Sequence, residues 1–375
     1  MEGYPTHQDL LVAIDRTDAA VETIGYAPGA RPILAVETGG DRQPPVLITA
    51  GAHATEHAGV CAAVALIDAL DTDRRVVIVP TRDPVGLDGY DAAVALACDH
   101  TSTIHDPPSA RSMLDTAGDI IHADDKLTIG CIGDYGYAIT ADRPDGSGTV
   151  LQRFKEYTNS APGIFDRLAG RRVFTTSGSD KIDAADPYER SYTIVIDPRG
   201  RPMHLNRFFT DRWAPVETRS LRGLFADLEP VLTIDCHETT AHANRFHVSL
   251  RPQKSTAATE REAALGRAIV DAVSARDTPI ATDADVLGEP TKTVAHTTDD
   301  KRPADGFYRK SSRGAYWVDP HATDPPRLGE GLNAVDYAAD QYGLAVTLET
   351  GMGGSLEQRT GDAIAAVRAA IAFLD

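Results

Sequence analysis

Residues 46–59, Val46-Leu47-Ile48-Thr49-Ala50-Gly51-Ala52-His53-Ala54-Thr55-Glu56-His57-Ala58-Gly59, read as a buried strand, a break and the start of a helix. Val46 to Thr49 is an apolar and β-branched run, the pattern of a strand covered on both faces. Gly51 ends it, and His53 and Glu56 follow three residues apart. Val60, Val64, Ile67 and Leu70 then recur at helical spacing, and Val76 to Val79 is a second continuous apolar run. Strand, helix and strand in this order form a βαβ unit, which implies a largely parallel sheet between helices.

Upstream, Gln8 to Asp15 has the pattern of a short amphipathic helix with Leu10, Leu11 and Ile14 on one side. Val21 to Ile24 and Ile33 to Val36 are β-like runs separated by the turn signal Tyr26-Ala27-Pro28-Gly29. Downstream, from Asp99 to Gly200, Asp, Gly, Ser, Thr and Pro dominate, and Asp142 to Gly148 reads as loop. Within that region Tyr192 to Ile196, followed by Asp197-Pro198-Arg199-Gly200, reads as one arm of a hairpin. Regular patterning returns with a helix at Pro215 to Leu228, strands at Val231 to Ile234 and Arg245 to Leu250, and a helix at Thr259 to Ala275. Asp283 to Pro326 reads as loop. A helix at Leu332 to Gln341, a strand at Leu344 to Leu348 and a closing helix at Gln358 to Phe373 complete the chain. The expected architecture is one α/β domain over 1–375, a mixed, mostly parallel sheet with helices on both faces. A loop-rich insertion at about 99–200 is expected as a rim or lid, with a separate domain as the alternative.

The chain has 375 residues, 42% hydrophobic and 25% charged, ordinary values for a soluble globular protein with a large core. It has no apolar run of about 18 residues, and its first residues lack the basic and apolar regions of a secretory signal, so a cytoplasmic protein is expected. Cys61, Cys98, Cys131 and Cys236 are scattered and read as free thiols. The net charge of −18 argues against nucleic acid or an anionic membrane as partner. Forty Asp against 15 Glu, and 30 Arg against 7 Lys, suggest a surface adapted to concentrated salt, which screens the repulsion among carboxylates.

Three apolar strands end in reactive residues: one leads to His53, one to His237 and one to Glu349. Ligands of open α/β sheets gather outside the carboxyl ends of the strands, so these residues are expected to converge. His53, Glu56 and His237 form a set suited to one catalytic zinc per chain, with a fourth position left for water. Zinc lowers the pKa of bound water towards roughly 7. Glu349 would then be the general base, and Asp235 is a candidate to orient His237. Asn206-Arg207 could hold a substrate carboxylate, the guanidinium bidentately. His53-Ala54-Thr55-Glu56-His57 also fits the inverted zinc-protease signature H-x-x-E-H, which needs both histidines on one helix face. The strand running to within a few residues of His53 opposes that, and His57 is expected to start the helix or support the site.

With these residues in place the chain resembles the zinc carboxypeptidases and the related aspartoacylase and succinylglutamate desuccinylase deacylases. The resemblance rests on His53-x-x-Glu56 after a strand, Leu205-Asn206-Arg207-Phe208, His237 in Asp-Cys-His and Glu349 in Thr-Leu-Glu-Thr-Gly, in that order. It covers about residues 8–100 and 200–375. It implies zinc on His53, Glu56 and His237, a terminal carboxylate on Asn206 and Arg207, and Glu349 as base. The chain departs from the family in carrying Asp83-Pro84-Val85-Gly86 where Asn-Pro-Asp-Gly is usual. The oxyanion arginine expected after it has no evident counterpart, the first arginine past Arg82 being Arg111. The substrate-capping tyrosine is open among Tyr308, Tyr316, Tyr337 and Tyr342. The expected function is zinc-dependent hydrolysis of an amide bond that removes a C-terminal residue from a peptide, with deacylation of an N-acyl amino acid as the alternative. A non-catalytic binding protein is the third possibility, disfavoured by the complete set of ligands and base.

Overall fold

The computed structural model describes residues 3–99, 103–140, 150–176, 189–239, 244–287, 308–318 and 331–375; the loop expected at 142–148 lies outside them. Helix α1 (His7–Asp15) opens the chain, its first turn closed by Thr6 and Asp9 in a reciprocal cap. A hairpin follows, β1 (Ala20–Ala27) against β2 (Arg31–Gly39), and then β3 (Arg42–Ala50), α2 (His57–Ala69), β4 (Arg74–Val79) and α3 (Pro84–Val94). β3 and β4 pair in parallel with α2 between them in the chain, as the opening stretch requires. Val46, Leu47 and Ile48 have no exposed surface, and burial of each side chain contributes about 2 kcal/mol.

The region expected to be a loop-rich insertion is instead built around a second sheet. After α4 (Pro107–Ala117) come β5 (Asp119–Ala123), β6 (Leu127–Ile132) and β7 (Tyr135–Thr140). Then follow α5 (Val150–Ser160), α6 (Gly163–Leu168), β8 (Arg172–Thr176), β9 (Ser191–Ile196) and β10 (Pro202–His204). The six strands order as β10-β9-β8-β7-β6-β5, and the expected hairpin is the antiparallel pair β9–β10. Its core is Leu127, Ile129, Phe154, Phe165, Leu168, Val173 and Ile194, so this region buries apolar surface of its own.

The chain then returns to the first sheet through α7 (Val216–Leu228), β11 (Leu232–Thr239), β12 (His247–Leu250) and α8 (Thr256–Ser274). Where loop was expected, the described residues form α9 (Asp283–Leu287) and the hairpin β13 (Tyr308–Ser312) and β14 (Ala315–Val318). α10 (Ala334–Gln341), β15 (Leu344–Gly351) and α11 (Leu356–Ala372) end it. The nine strands order as β1-β2-β4-β3-β11-β15-β12-β14-β13, with β4, β3, β11 and β15 parallel and the flanking pairs β2–β4 and β12–β15 antiparallel. The fold class is therefore the expected mixed α/β sheet. One face packs under α2, α8 and α11; the other carries α3, α7, α10 and the second sheet. Among the described residues no helix is long and apolar enough to cross a membrane.

Two glycines set the approach of α2 to this sheet. Gly51 has φ +58°, and a Cβ there would come within 2.7 Å of Thr81 Oγ1; the chain turns here out of β3. Gly59 passes so close to β11 that a Cβ would lie 2.9 Å from the Cys236 carbonyl oxygen. Gly59→Ala is therefore expected to cost about 1–3 kcal/mol in urea unfolding, because backbone cannot yield as a side chain does. An unchanged midpoint would show that α2 is free to slide.

Candidate metal centre

Alternation along β11 directs Cys236 into the core under α2 and turns Asp235 and His237 to the opposite face. β3 ends beside them, and the turn after Gly51 brings His53 and Glu56 over the same spot. Glu56 directly precedes α2, where the helix dipole favours a carboxylate. Its Oε1 is 2.6 Å from His53 Nδ1 and its Oε2 2.7 Å from His237 Nδ1. One candidate ligand atom from each of the three residues lies within 4.8 Å of the others.

The far side of each imidazole is held as well. His237 Nε2 donates to Asp235 Oδ2 at 2.9 Å, and His53 Nε2 is 2.7 Å from His204 Nδ1. Such outer partners fix ring orientation and leave the inner nitrogens to a metal, so the donor set fits a zinc-type ion. Asp235 is completely buried and takes Arg82 Nη2 on both oxygens, at 2.8 and 2.7 Å, and the Thr49 hydroxyl at 2.7 Å. Burial opposes its ionisation, but Arg82 and His237 outweigh it and hold the carboxyl well below its usual range. Burial likewise works against charging His237, yet Asp235 and Glu56 on either side raise its pKa well above 6.5. Burial also disfavours the Glu56 carboxylate, but the two facing rings bring it down to about 2.

The candidate residues gather around one cavity of about 210 Å³, lined among others by His53, His237, Asn206, Arg207 and Glu349. Glu349, at the carboxyl end of β15, is directly opposite His237 in the parallel ladder. Burial, reinforced by Glu56 and Asp235, pushes its carboxyl up to about 8. Arg207 is braced by Nη1 donating to the Asn206 carbonyl at 2.7 Å. The Asn206 amide is turned inward: Oδ1 accepts from Arg82 Nη1 and the Ala334 amide, and Nδ2 donates to Asp235 Oδ2. His57 starts α2 and accepts from Arg190 Nε at 2.7 Å, and it lies outside the three-residue cluster.

Two neighbours went unrecognised in the sequence. Arg82 lies just past β4, whereas Arg111, the next arginine, pairs with Asp115 on α4 and Thr128 on β6. His204 had no pattern to mark it except its place two residues before Asn206. Of the four tyrosines weighed, Tyr308 lines the cavity, whereas Tyr316 bonds Asp283, and Tyr337 and Tyr342 pack with Phe225.

No family profile matches the chain, and no curated protein matches it. Solved structures similar to it include a metallo-carboxypeptidase from Burkholderia cenocepacia, at 13% identity and TM-score 0.48, covering 98% of this chain and 68% of that one. A metallo-carboxypeptidase from Pseudomonas aeruginosa in complex with (2-guanidinoethylmercapto)succinic acid is similar at 13% identity and TM-score 0.46, with the same coverage. Carboxypeptidase A from Helicoverpa armigera is similar at 12% identity and TM-score 0.44, covering 98% and 71%.

Proposed function

We propose that the protein is a zinc-dependent hydrolase of amide bonds that releases the C-terminal residue of a peptide. The observation that carries this reading is the convergence of the His53–Glu56–His237 cluster, Arg207 and Glu349 on one cavity. Bound to that cluster, a divalent cation would polarise the amide carbonyl, activate water and favour the ionised form of Glu349. Arg207 receives the terminal carboxylate as a charge-assisted pair and thereby sets which bond lies over the site. Glu349 takes a proton from the attacking water and gives it to the departing amine nitrogen, so that water adds across the C–N bond to yield acid and amine. Asp235 and His204 hold the two imidazoles in place, while Asn206, tied to Arg82 and α10, braces the loop that presents Arg207.

Zinc-loaded protein is expected to release free C-terminal residues from a mixture of short peptides, and chelation to abolish this until zinc is restored. Release of the acyl acid from N-acyl amino acids without any peptide turnover would replace the peptidase reading with deacylation. Activity indifferent to chelation would end both. Loading also has a pH sign. The raised pKa of His237 means that a proton on its inner nitrogen must leave, so zinc affinity rises with pH, by about tenfold per unit for one proton displaced.

A further inference from the structure

We infer that the same cavity selects a released residue whose side chain ends in a carboxamide, and that Arg251 and Asp336 read it. This rests on the hydrolase reading and adds the substrate class to it. β12 runs antiparallel to β15 with His247 opposite Glu349 and Ser249 opposite Thr347. Ser249, Arg251, Thr347 and Glu349 all line the cavity. Thr347 is two residues from Glu349, about 7 Å along the strand. Arg251 Nη2 reaches its hydroxyl at 3.3 Å. These four residues, the base among them, are all polar, a surface that favours a polar side chain over an aliphatic or aromatic one.

Arg251 is 4% exposed and forms an ion pair through Nε with Asp336 Oδ1, on α10. Among the described residues, three of its five N–H groups meet Asp336, Thr347 and the Leu250 carbonyl. Asp336 Oδ2 meets no donor among the described residues. The pair therefore offers donors from one partner and an acceptor from the other, which is what a carboxamide complements with its C=O and NH₂.

The test is calorimetric binding of free glutamine, glutamate, lysine and leucine to zinc-loaded protein, alongside turnover of blocked dipeptides ending in the same four residues. Glutamine is expected to bind at least tenfold more tightly than each of the others, with kcat/KM in the same order. Asp336→Asn removes the negative partner at constant shape and is expected to move glutamate ahead of glutamine. Equal or tighter binding of leucine by the unaltered protein overturns the inference, as does an unchanged ranking in a folded Asp336→Asn protein. If glutamine binds in the expected order but no amide is cleaved, the hydrolase reading fails while the selectivity stands.

Discussion

Glu349→Gln is expected to keep its zinc and lose about 10²–10⁴-fold in kcat/KM, the usual contribution of a positioned general base. The substitution preserves shape at the end of β15, opposite His237 in the ladder, and touches none of the three ligands. What disappears is the group that can take a proton from water and hand it on. The unaltered enzyme should show an acid limb, with activity rising as pH rises and Glu349 ionises. Burial pushes that carboxyl up to about 8, and a divalent cation nearby draws it lower, so the limb belongs below pH 8. Residual activity in the variant should lack the limb. Metal content measured beside steady-state rates separates the two effects, and equal activity would remove Glu349 from the mechanism.

Arg82→Leu is expected to cause the largest loss of stability, about 3–5 kcal/mol in urea unfolding, because it strands a carboxylate inside the protein. Asp235 has no exposed surface and Arg82 only 3%. Without the guanidinium, Asp235 gains a proton or leaves its place, and the hydrogen bond that orients His237 goes with it. Zinc affinity should therefore fall by about 10–100-fold, the usual cost of losing an outer partner. Arg82 also donates to Asn206, so the brace behind Arg207 loosens. Calorimetry of zinc binding on the folded fraction distinguishes this from simple unfolding. Unaltered affinity would mean that Thr49 and Asn206 suffice to hold Asp235.

The central parallel strands were legible because they are buried on both faces. Such strands appear as unbroken apolar runs, and each ended in a polar residue aimed at the site. His53, His237 and Glu349 stand out in this way, with Glu56 three residues after the first. The second sheet was not legible, because strands such as Asp119–Ala123 and Arg172–Thr176 are short and mix polar with apolar residues. Their burial comes from distant partners, including Phe154 and Phe165, and not from their own periodicity. The hairpin at Tyr308–Val318 was hidden for the same reason. Asn206 reads in the sequence as a partner of the substrate carboxylate, yet its amide is turned inward onto Arg82 and Ala334, 124 and 128 residues away in the chain.

β10 belongs to the second sheet; its last residue, His204, and Asn206 and Arg207 just beyond it line the same cavity as His53 and His237 from the first. The proposed reacting groups and the proposed carboxylate anchor thus stand on different scaffolds that meet at a seam. Shifting the β9–β10 hairpin by a residue would re-aim the anchor and also withdraw His204 from the His53 ring, so the two scaffolds are coupled through that contact. A change of anchor position, in evolution or by design, is therefore expected to need a compensating change at His204.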